Sequence, residues 1–152
     1  RLLTCAVNVA GVHVNAEGIE LNHFHGADGG RRGIDGGICM CLAAELNGAV
    51  LKGTARLRIK ESDRGFAMKQ ELSKLGADIE IYNDEIVINK TVLRTPSETL
   101  CSHNDHRVVM SLAVLCSKYG GKIEGAEAVR KSYPDFFECT SELGLEAETN
   151  DY

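Results

Sequence analysis

The sequence of 152 residues contains no tryptophan, only two prolines and an aromatic fraction of 5%. No apolar run approaches the roughly 20 residues that a membrane-spanning helix requires, so the sequence does not favour membrane association. Basic residues are outnumbered, since 17 Lys and Arg stand against 22 Asp and Glu. The net charge of −5 argues against nucleic acid or an anionic membrane surface as the partner. Any site for an anion must therefore be a local cluster of cations.

Cysteine pairs with C-x-x-C spacing are absent, although the chain has six cysteines. Several cysteines fall on predicted apolar helix faces, where a thiol packs as a small hydrophobic group. We therefore expect reduced thiols and a cytoplasmic location rather than a disulfide framework. The opening RLLTCAVNVAGVHV is interpreted as a helix end that continues into a strand. On this interpretation, residues 1–152 are one partial domain that starts inside its fold.

A repeated secondary-structure signal runs through the chain. Each copy consists of a helix end, a stop glycine and a pair of short alternating strands. The signal occurs at 9–21 and at 74–88, and it begins again at 142–148. In the second copy, Asn83-Asp84 supplies the predicted turn between the two strands.

The stretches between these signals also match each other. DGGICMCLAA (35–44) aligns with DHRVVMSLAV (105–114) at Asp, Met, Leu and Ala. The predicted unit is helix, strand, helix and two strands, and it is about 67 residues long. Its copies lie at about 1–21 (tail only), 35–88 and 105–148 (incomplete). Because this period exceeds that of solenoids, we expect a closed, pseudo-symmetric α/β (α+β) domain.

Hydrophobic periodicity predicts two longer helices, over 62–75 and over 105–118. Gly76 should end the first helix and Gly120-Gly121 the second. Pro134 is predicted at the first position of a further helix, where its missing N–H has no cost.

Charged residues flank the start of the first of these helices. Arg56 and Arg58 are predicted to alternate on the solvated face of a strand. Asp63 and Asp105 each precede a helix, and the sequence leaves open whether they cap it or serve in a site.

Helix starts in a pseudo-symmetric domain tend to gather on one surface, and helix N-termini favour anions. Four cations are predicted to meet there with two carboxylates. Such a surface suits a multiply anionic substrate and acid–base chemistry. The members of this predicted surface are Lys60, Arg64, Arg107, Lys131, Glu61 and Asp35.

Simpler structural interpretations of Glu61 and of two other segments also remain open. Glu61 between Lys60 and Arg64 also fits a surface ion pair of small energetic effect. The histidines of HFH (23–25) and HNDH (103–106) have no recognised zinc spacing, so no metal is expected. The glycine-rich stretch 26–37 lacks a P-loop pattern, and we interpret it as a flexible loop.

Three strings carry a family resemblance: RLRIKESDR (56–64), NDHRVVMSLAV (104–114) and VRKSYPDFFECTSELG (129–144). Together and in this order, they resemble the C-terminal half of the EPSP synthase (3-phosphoshikimate 1-carboxyvinyltransferase) family of enolpyruvyl transferases. The resemblance implies a domain of pseudo-threefold symmetry, one of two that enclose a cleft. It also implies transfer of the enolpyruvyl group of phosphoenolpyruvate to shikimate 3-phosphate, without a cofactor.

The resemblance implies catalytic roles for three residues. Asp35 would act on the shikimate 5-hydroxyl, although the family usually has Pro-Asp where this chain has GIDGGIC (33–39). Glu61 would handle the methylene proton of phosphoenolpyruvate, and Lys131 would assist proton transfer.

Substrate-binding roles follow from the same motifs. Arg64, Arg107 and Lys131 would hold the phosphoenolpyruvate anion, and Lys60 would reach the phosphate of shikimate 3-phosphate. The partner implied is the N-terminal domain of the same enzyme, whose motifs do not occur in this chain. We therefore expect the isolated chain to be inactive. Two alternatives stay open: an enolpyruvyl transferase with another acceptor, and a non-catalytic anion-binding or interaction module of the same fold.

Overall fold

A computed structural model describes residues 12–15, 18–21 and 36–148, with side chains described from residue 36 onward. The predictions for Asp35, for the histidines at 23–25 and for the helix end before Gly11 lie outside these residues. Most of the predicted glycine-rich loop (26–37) lies outside them as well.

Five strands form one mixed sheet in the order β1-β2-β3-β5-β4. The β1–β2 and β4–β5 pairs are antiparallel hairpins, as the repeated signal predicts, while β2 and β3 run parallel. A separate parallel pair joins β6 to β7. The strands are β1 (Val12–Asn15), β2 (Gly18–Leu21), β3 (Ala49–Lys52), β4 (Asp78–Ile81), β5 (Glu85–Asn89), β6 (Leu100–Cys101) and β7 (Ile123–Glu124).

Four α-helices are described: α1 (Gly36–Glu45), α2 (Arg64–Lys74), α3 (His106–Tyr119) and α4 (Phe136–Ser141). Helices α2 and α3 confirm the two periodic predictions to within two residues at each end. Gly76 and Gly120 follow them with φ of 95° and 70°. The start predicted for the last helix is wrong, because α4 begins at Phe136, with Asp135 rather than Pro134 directly before it.

The main hydrophobic core joins α1, α2 and α3 to the sheet. Its completely buried members include Met40 from α1, Met68 from α2 and Leu112 from α3, which meet Leu51 and Ile86 from the central strands. The three helices thus share one apolar interior, and their N-terminal ends are carried by a common scaffold.

The strand predicted around Arg56 and Arg58 is wrong. Residues Thr54–Ile59 form a 3-10 helix directly after β3. Asp84, in the turn of the β4–β5 hairpin, accepts hydrogen bonds from three successive amides at the start of this segment. These hydrogen bonds fix the start of the 3-10 helix, in which Leu57 is buried while both arginines stay exposed.

The two long copies of the unit, 35–88 and 105–148, have the same local structure after their short strands β3 and β7. Gly53 precedes the first 3-10 helix with φ 76° and ψ 27°, and Gly125 precedes a second one, Ala126–Lys131, with φ 73° and ψ 26°. In each of these copies a short strand therefore turns through a left-handed glycine into a 3-10 helix, so the two segments correspond although neither 3-10 helix was predicted. The third hairpin signal, predicted at 142–148, is not confirmed, because residues 145–148 after Gly144 contain no strand.

We predict that Gly125→Ala is more destabilising than Gly76→Ala. Both glycines have a positive φ, of 73° and 95°, and a left-handed backbone costs an L-residue about 1–2 kcal/mol. A Cβ on Gly125 would lie 2.3 Å from Ser102 Oγ, whereas a Cβ on Gly76 would make only ordinary contacts, the nearest with Val92 O at 3.6 Å. Urea unfolding of the two variants should therefore differ by about 1–3 kcal/mol, the usual cost of overpacking. Equal losses would show that Ser102 moves aside freely.

No disulfide joins the five cysteines in the part of the chain that the structure describes. Among the same residues, none of the helices has both the length and the apolar character needed to cross a bilayer.

Candidate active site

A buried ion pair lies at the centre of the predicted surface. Arg64, the first residue of α2, donates from Nε and Nη2 to the two carboxylate oxygens of Asp105, both at 2.9 Å. The residues are only 4% and 0% exposed. Ser62 Oγ donates to the same carboxylate at 3.0 Å. The pair therefore ties the start of α2 to the start of α3.

Asp105 also caps α3. Its Oδ1 accepts the backbone N–H of Arg107 at 2.9 Å. Burial by itself would raise the pKa of this carboxyl, but the Arg107 amide, the Arg64 guanidinium and the Ser62 hydroxyl outweigh burial and hold the pKa below its ordinary value of 3.8. Asp105 is thus a charged group in the interior. Asp63 is likewise the cap of α2, through the Phe66 amide at 3.0 Å, so both aspartates cap helices.

The four residues 104–107, which we call the NDHR turn, contact three of the predicted site residues. Asn104 accepts two hydrogen bonds from Lys131 Nζ, at 2.6 Å from its carbonyl and 2.7 Å from Oδ1. Asp105 holds Arg64, and His106 contacts Glu61. The fourth residue of the turn, Arg107, is itself a predicted site residue. One short segment therefore gathers groups that lie far apart in sequence.

Lys131 reaches this turn from the second 3-10 helix, of which it is the last residue. Its side chain is exposed, as are those of Lys60 and Arg107. Lys60 follows the first 3-10 helix in extended conformation and precedes Glu61. Three of the four predicted cations are therefore accessible to a solvent-borne anion, while Arg64 lies beneath them and neutralises Asp105.

Glu61 and His106 form the pair best suited to proton transfer. Glu61 Oε2 lies 3.0 Å from His106 Nδ1, and the carboxylate side chain is 43% exposed. The direction of this hydrogen bond depends on the tautomer of the imidazole. A carboxylate in solvent contact beside an imidazole can both release a proton to a bound group and accept one from it.

The cluster of Glu61, Asp105 and His106 can be explained without a metal ion. Oxygen and nitrogen atoms of Glu61, Asp105 and His106 lie within 4.8 Å of one another. Both oxygens of Asp105, however, already accept hydrogen bonds from Arg64, and the Glu61 and His106 atoms contact each other. Hydrogen bonds within the protein thus account for the cluster.

The sequence interpretation missed the supporting roles of Asn104, His106 and Ser62. It considered the histidines of HNDH only as possible metal ligands. The available signal was the position of NDHR at the start of a periodic helix, at the point equivalent to the start of α1 in the other copy of the unit. Polar residues at such a position lie beside the start of the neighbouring helix.

Comparison with known proteins identifies the family to which this chain belongs. The family profile described as EPSP synthase (3-phosphoshikimate 1-carboxyvinyltransferase) matches residues 37–139, more than half of the chain. The chain is 42% identical over 106 residues to the 3-phosphoshikimate 1-carboxyvinyltransferase of Lactiplantibacillus plantarum, a match that covers 67% of this chain and 24% of the relative. It is 46% identical over 115 residues to the enzyme of the same name from Clostridium kluyveri, covering 73% and 26%.

Solved structures agree with the sequence relatives. The EPSP synthase from Acinetobacter baumannii superimposes with a TM-score of 0.67 and 31% identity, over 76% of this chain and 28% of that protein. The chain thus spans about a quarter of the length of the curated relatives that it matches. The resemblance of the sequence motifs and the fold expected from it are confirmed. This chain belongs to the EPSP synthase family.

Proposed function

We propose that the chain is part of the C-terminal domain of an enzyme that transfers the enolpyruvyl group of phosphoenolpyruvate to shikimate 3-phosphate and releases phosphate. The observation that carries the proposal is the NDHR turn. It brings Glu61, Lys131 and Arg107 to one surface, with Arg64 beneath them. The names of the relatives supply the reaction, and the geometry supplies residues able to perform it.

Phosphoenolpyruvate binding is assigned to the exposed cations. Arg107 and Lys131 offer charged donors to a carboxylate and a phosphate, and charge-assisted bonds are the strongest that side chains make. Lys60 would reach the phosphate of shikimate 3-phosphate. Arg64 is proposed to contribute only its positive charge, from the protein interior. It is not assigned a direct hydrogen bond to the substrate, because its Nε and Nη2 already donate to Asp105. This differs from the direct contact expected for Arg64 from the resemblance.

Proton transfer is assigned to Glu61. When the 5-hydroxyl oxygen adds to C2 of phosphoenolpyruvate, the methylene carbon C3 must gain a proton and the hydroxyl must lose one. When the C2–O bond to phosphate then breaks, the methyl group at C3 must lose a proton to restore the double bond. Glu61 would give and then retake the proton at C3, with His106 as its hydrogen-bonded neighbour. Asp35 would accept the hydroxyl proton, and Lys131 would protonate the departing phosphate.

Completion of the site is assigned to a second domain, as in the family resemblance. Transfer between two anions requires that both be oriented and that water be excluded. The exposed surface of this chain supplies groups from one side only. The proposed partners are the two small-molecule substrates and the N-terminal domain, with no cofactor, and the proposed location is the cytoplasm.

A chimera tests this function. In the Lactiplantibacillus plantarum relative, the segment aligned with residues 37–139 is replaced by the residues of this chain. We expect phosphate release from phosphoenolpyruvate plus shikimate 3-phosphate by the chimera, and none by the 152-residue chain alone. The reason is that one side of the site cannot orient both reactants.

Three results would contradict the proposal. Turnover by the isolated chain near that of the parent relative would show that no second domain is needed. A chimera that melts cooperatively and binds phosphoenolpyruvate, yet releases no phosphate, would favour the non-catalytic anion-binding module. Release of phosphate with another hydroxyl acceptor but not with shikimate 3-phosphate would favour the alternative transferase.

A further inference from the structure

One buried carboxylate is not used by the proposed reaction. Glu71, in the last turn of α2, is 1% exposed. Its Oε2 accepts hydrogen bonds from Lys74 Nζ and from the backbone N–H of Cys101, both at 2.8 Å. Its Oε1 lies 2.8 Å from Nε2 of His103. A buried carboxylate is costly unless its oxygens are satisfied, and here two of its three partners lie just before the NDHR turn.

The segment that Glu71 contacts has an unusual backbone. His103 and Asn104 have φ of 50° and 55°, and they are the only non-glycine residues with positive φ in the described part of the chain. Left-handed conformations cost non-glycine residues roughly 1–2 kcal/mol each, although Asn and His tolerate them better than most. Such a conformation persists only where its surroundings enforce it.

Contacts to each of the two residues enforce it. Glu71 holds the imidazole of His103, and Lys131 holds the carbonyl and side chain of Asn104. Between them, Ser102 accepts the amides of Asn104 at 3.1 Å and of Asp105 at 3.0 Å. The position of Lys131 and the start of α3 therefore depend on a strained turn that is anchored through Glu71.

We propose that Glu71 is a positioning residue for the anion-binding surface. It acts through His103 to fix the NDHR turn, and through this turn it sets Lys131, Arg107 and the Glu61–His106 pair. Glu71 itself does not touch substrate. The identity of the anion, phosphoenolpyruvate, rests on the proposed function, whereas the control of the turn does not.

Hydrogen exchange of the isolated chain, followed by NMR, tests the control of the turn. Glu71→Met keeps a helix-forming side chain of similar size but removes every acceptor. We expect the amides of Asn104, Asp105 and Arg107 to exchange about tenfold faster or more, the scale of one lost buried hydrogen bond. Glu71→Gln keeps one acceptor for the Cys101 amide and should lie between the parent and Glu71→Met.

Two further variants separate positioning from general stability. Ile79→Ala removes buried volume from β4, an edge strand of the five-stranded sheet, whereas the turn follows β6 of the separate strand pair. It should lower the melting temperature without selective exchange at the turn. His103→Ala should reproduce the selective acceleration, and adding Glu71→Met to it should have less effect than in the parent, because both act through one contact.

Phosphoenolpyruvate titration of the chimera provides the functional readout. Affinity should fall about tenfold in Glu71→Met and stay near that of the parent in Ile79→Ala. Unchanged exchange at the turn in a folded Glu71→Met variant would overturn the inference, as would uniform acceleration across the core. If Glu71→Met does not fold, unchanged exchange in His103→Ala overturns it. Selective acceleration with no phosphate release by any chimera would contradict the proposed function and leave the positioning role intact.

Discussion

Glu61→Gln in the two-domain chimera is expected to lower turnover by about 10²-fold or more, the usual scale for general acid–base catalysis. Glutamine has the shape of glutamate and can still contact His106 Nδ1, which lies 3.0 Å from the carboxylate. It cannot exchange a proton with C3 of phosphoenolpyruvate. Phosphate release at saturating substrate measures the loss. Phosphoenolpyruvate binding should change much less, because the exposed cations remain.

Arg107→Ala is the matched control for this prediction. Arg107 and Glu61 lie on the same exposed surface, but Arg107 is assigned to binding rather than to proton transfer. Its removal should weaken phosphoenolpyruvate binding more than it changes turnover at saturation, since a charge-assisted contact is lost. If Glu61→Gln keeps near-parental turnover in a folded chimera, Glu61 is only the hydrogen-bond partner of His106 and the catalytic assignment is wrong.

Local patterns in the sequence predicted the elements that local forces determine. The spacing of Met68 and Leu72 places both on the apolar face of α2, where they are completely buried. Asn83-Asp84 turns the chain between β4 and β5 as expected. The same patterns also located the surface, since helix starts and the segments before them carry Glu61, Arg107 and Lys131.

Contacts between distant segments account for the differences. The 3-10 helix that replaces the predicted strand at Arg56 depends on Asp84, which lies in another hairpin. The burial of Arg64 depends on Asp105, 41 residues away in sequence. Hydrophobic periodicity contains no information about such pairs, so the sequence identified the charged residues but could not tell an accessible arginine from a buried one.

Asp105→Asn is expected to destabilise the fold by about 3–5 kcal/mol at neutral pH. That is the usual cost of breaking a buried ion pair, because the Arg64 guanidinium would stay buried opposite a neutral group. Asparagine caps helices about as well as aspartate, so the cap of α3 should survive and the loss should report the ion pair. Urea unfolding of the isolated chain measures it.

Asp63→Asn is the control for capping, since Asp63 caps α2 by the same type of hydrogen bond but is exposed and outside the buried pair. It should change stability by less than about 0.5 kcal/mol, as most surface substitutions do. A loss in Asp105→Asn no larger than that in Asp63→Asn would contradict a structural role for the pair.

The pH dependence gives an independent check on the same pair. Because the folded pKa of Asp105 lies below its ordinary value of 3.8, the unfolded chain binds more protons than the folded chain as the pH drops below about 4. The stabilisation by ionised Asp105 is therefore complete above that range and is lost as the pH falls through the folded pKa. Unfolding measured between about pH 5 and pH 2 should show a steeper loss of stability in the parent than in Asp105→Asn. Parallel curves would mean that Asp105 titrates alike in both states, and the buried pair would then contribute nothing through its charge.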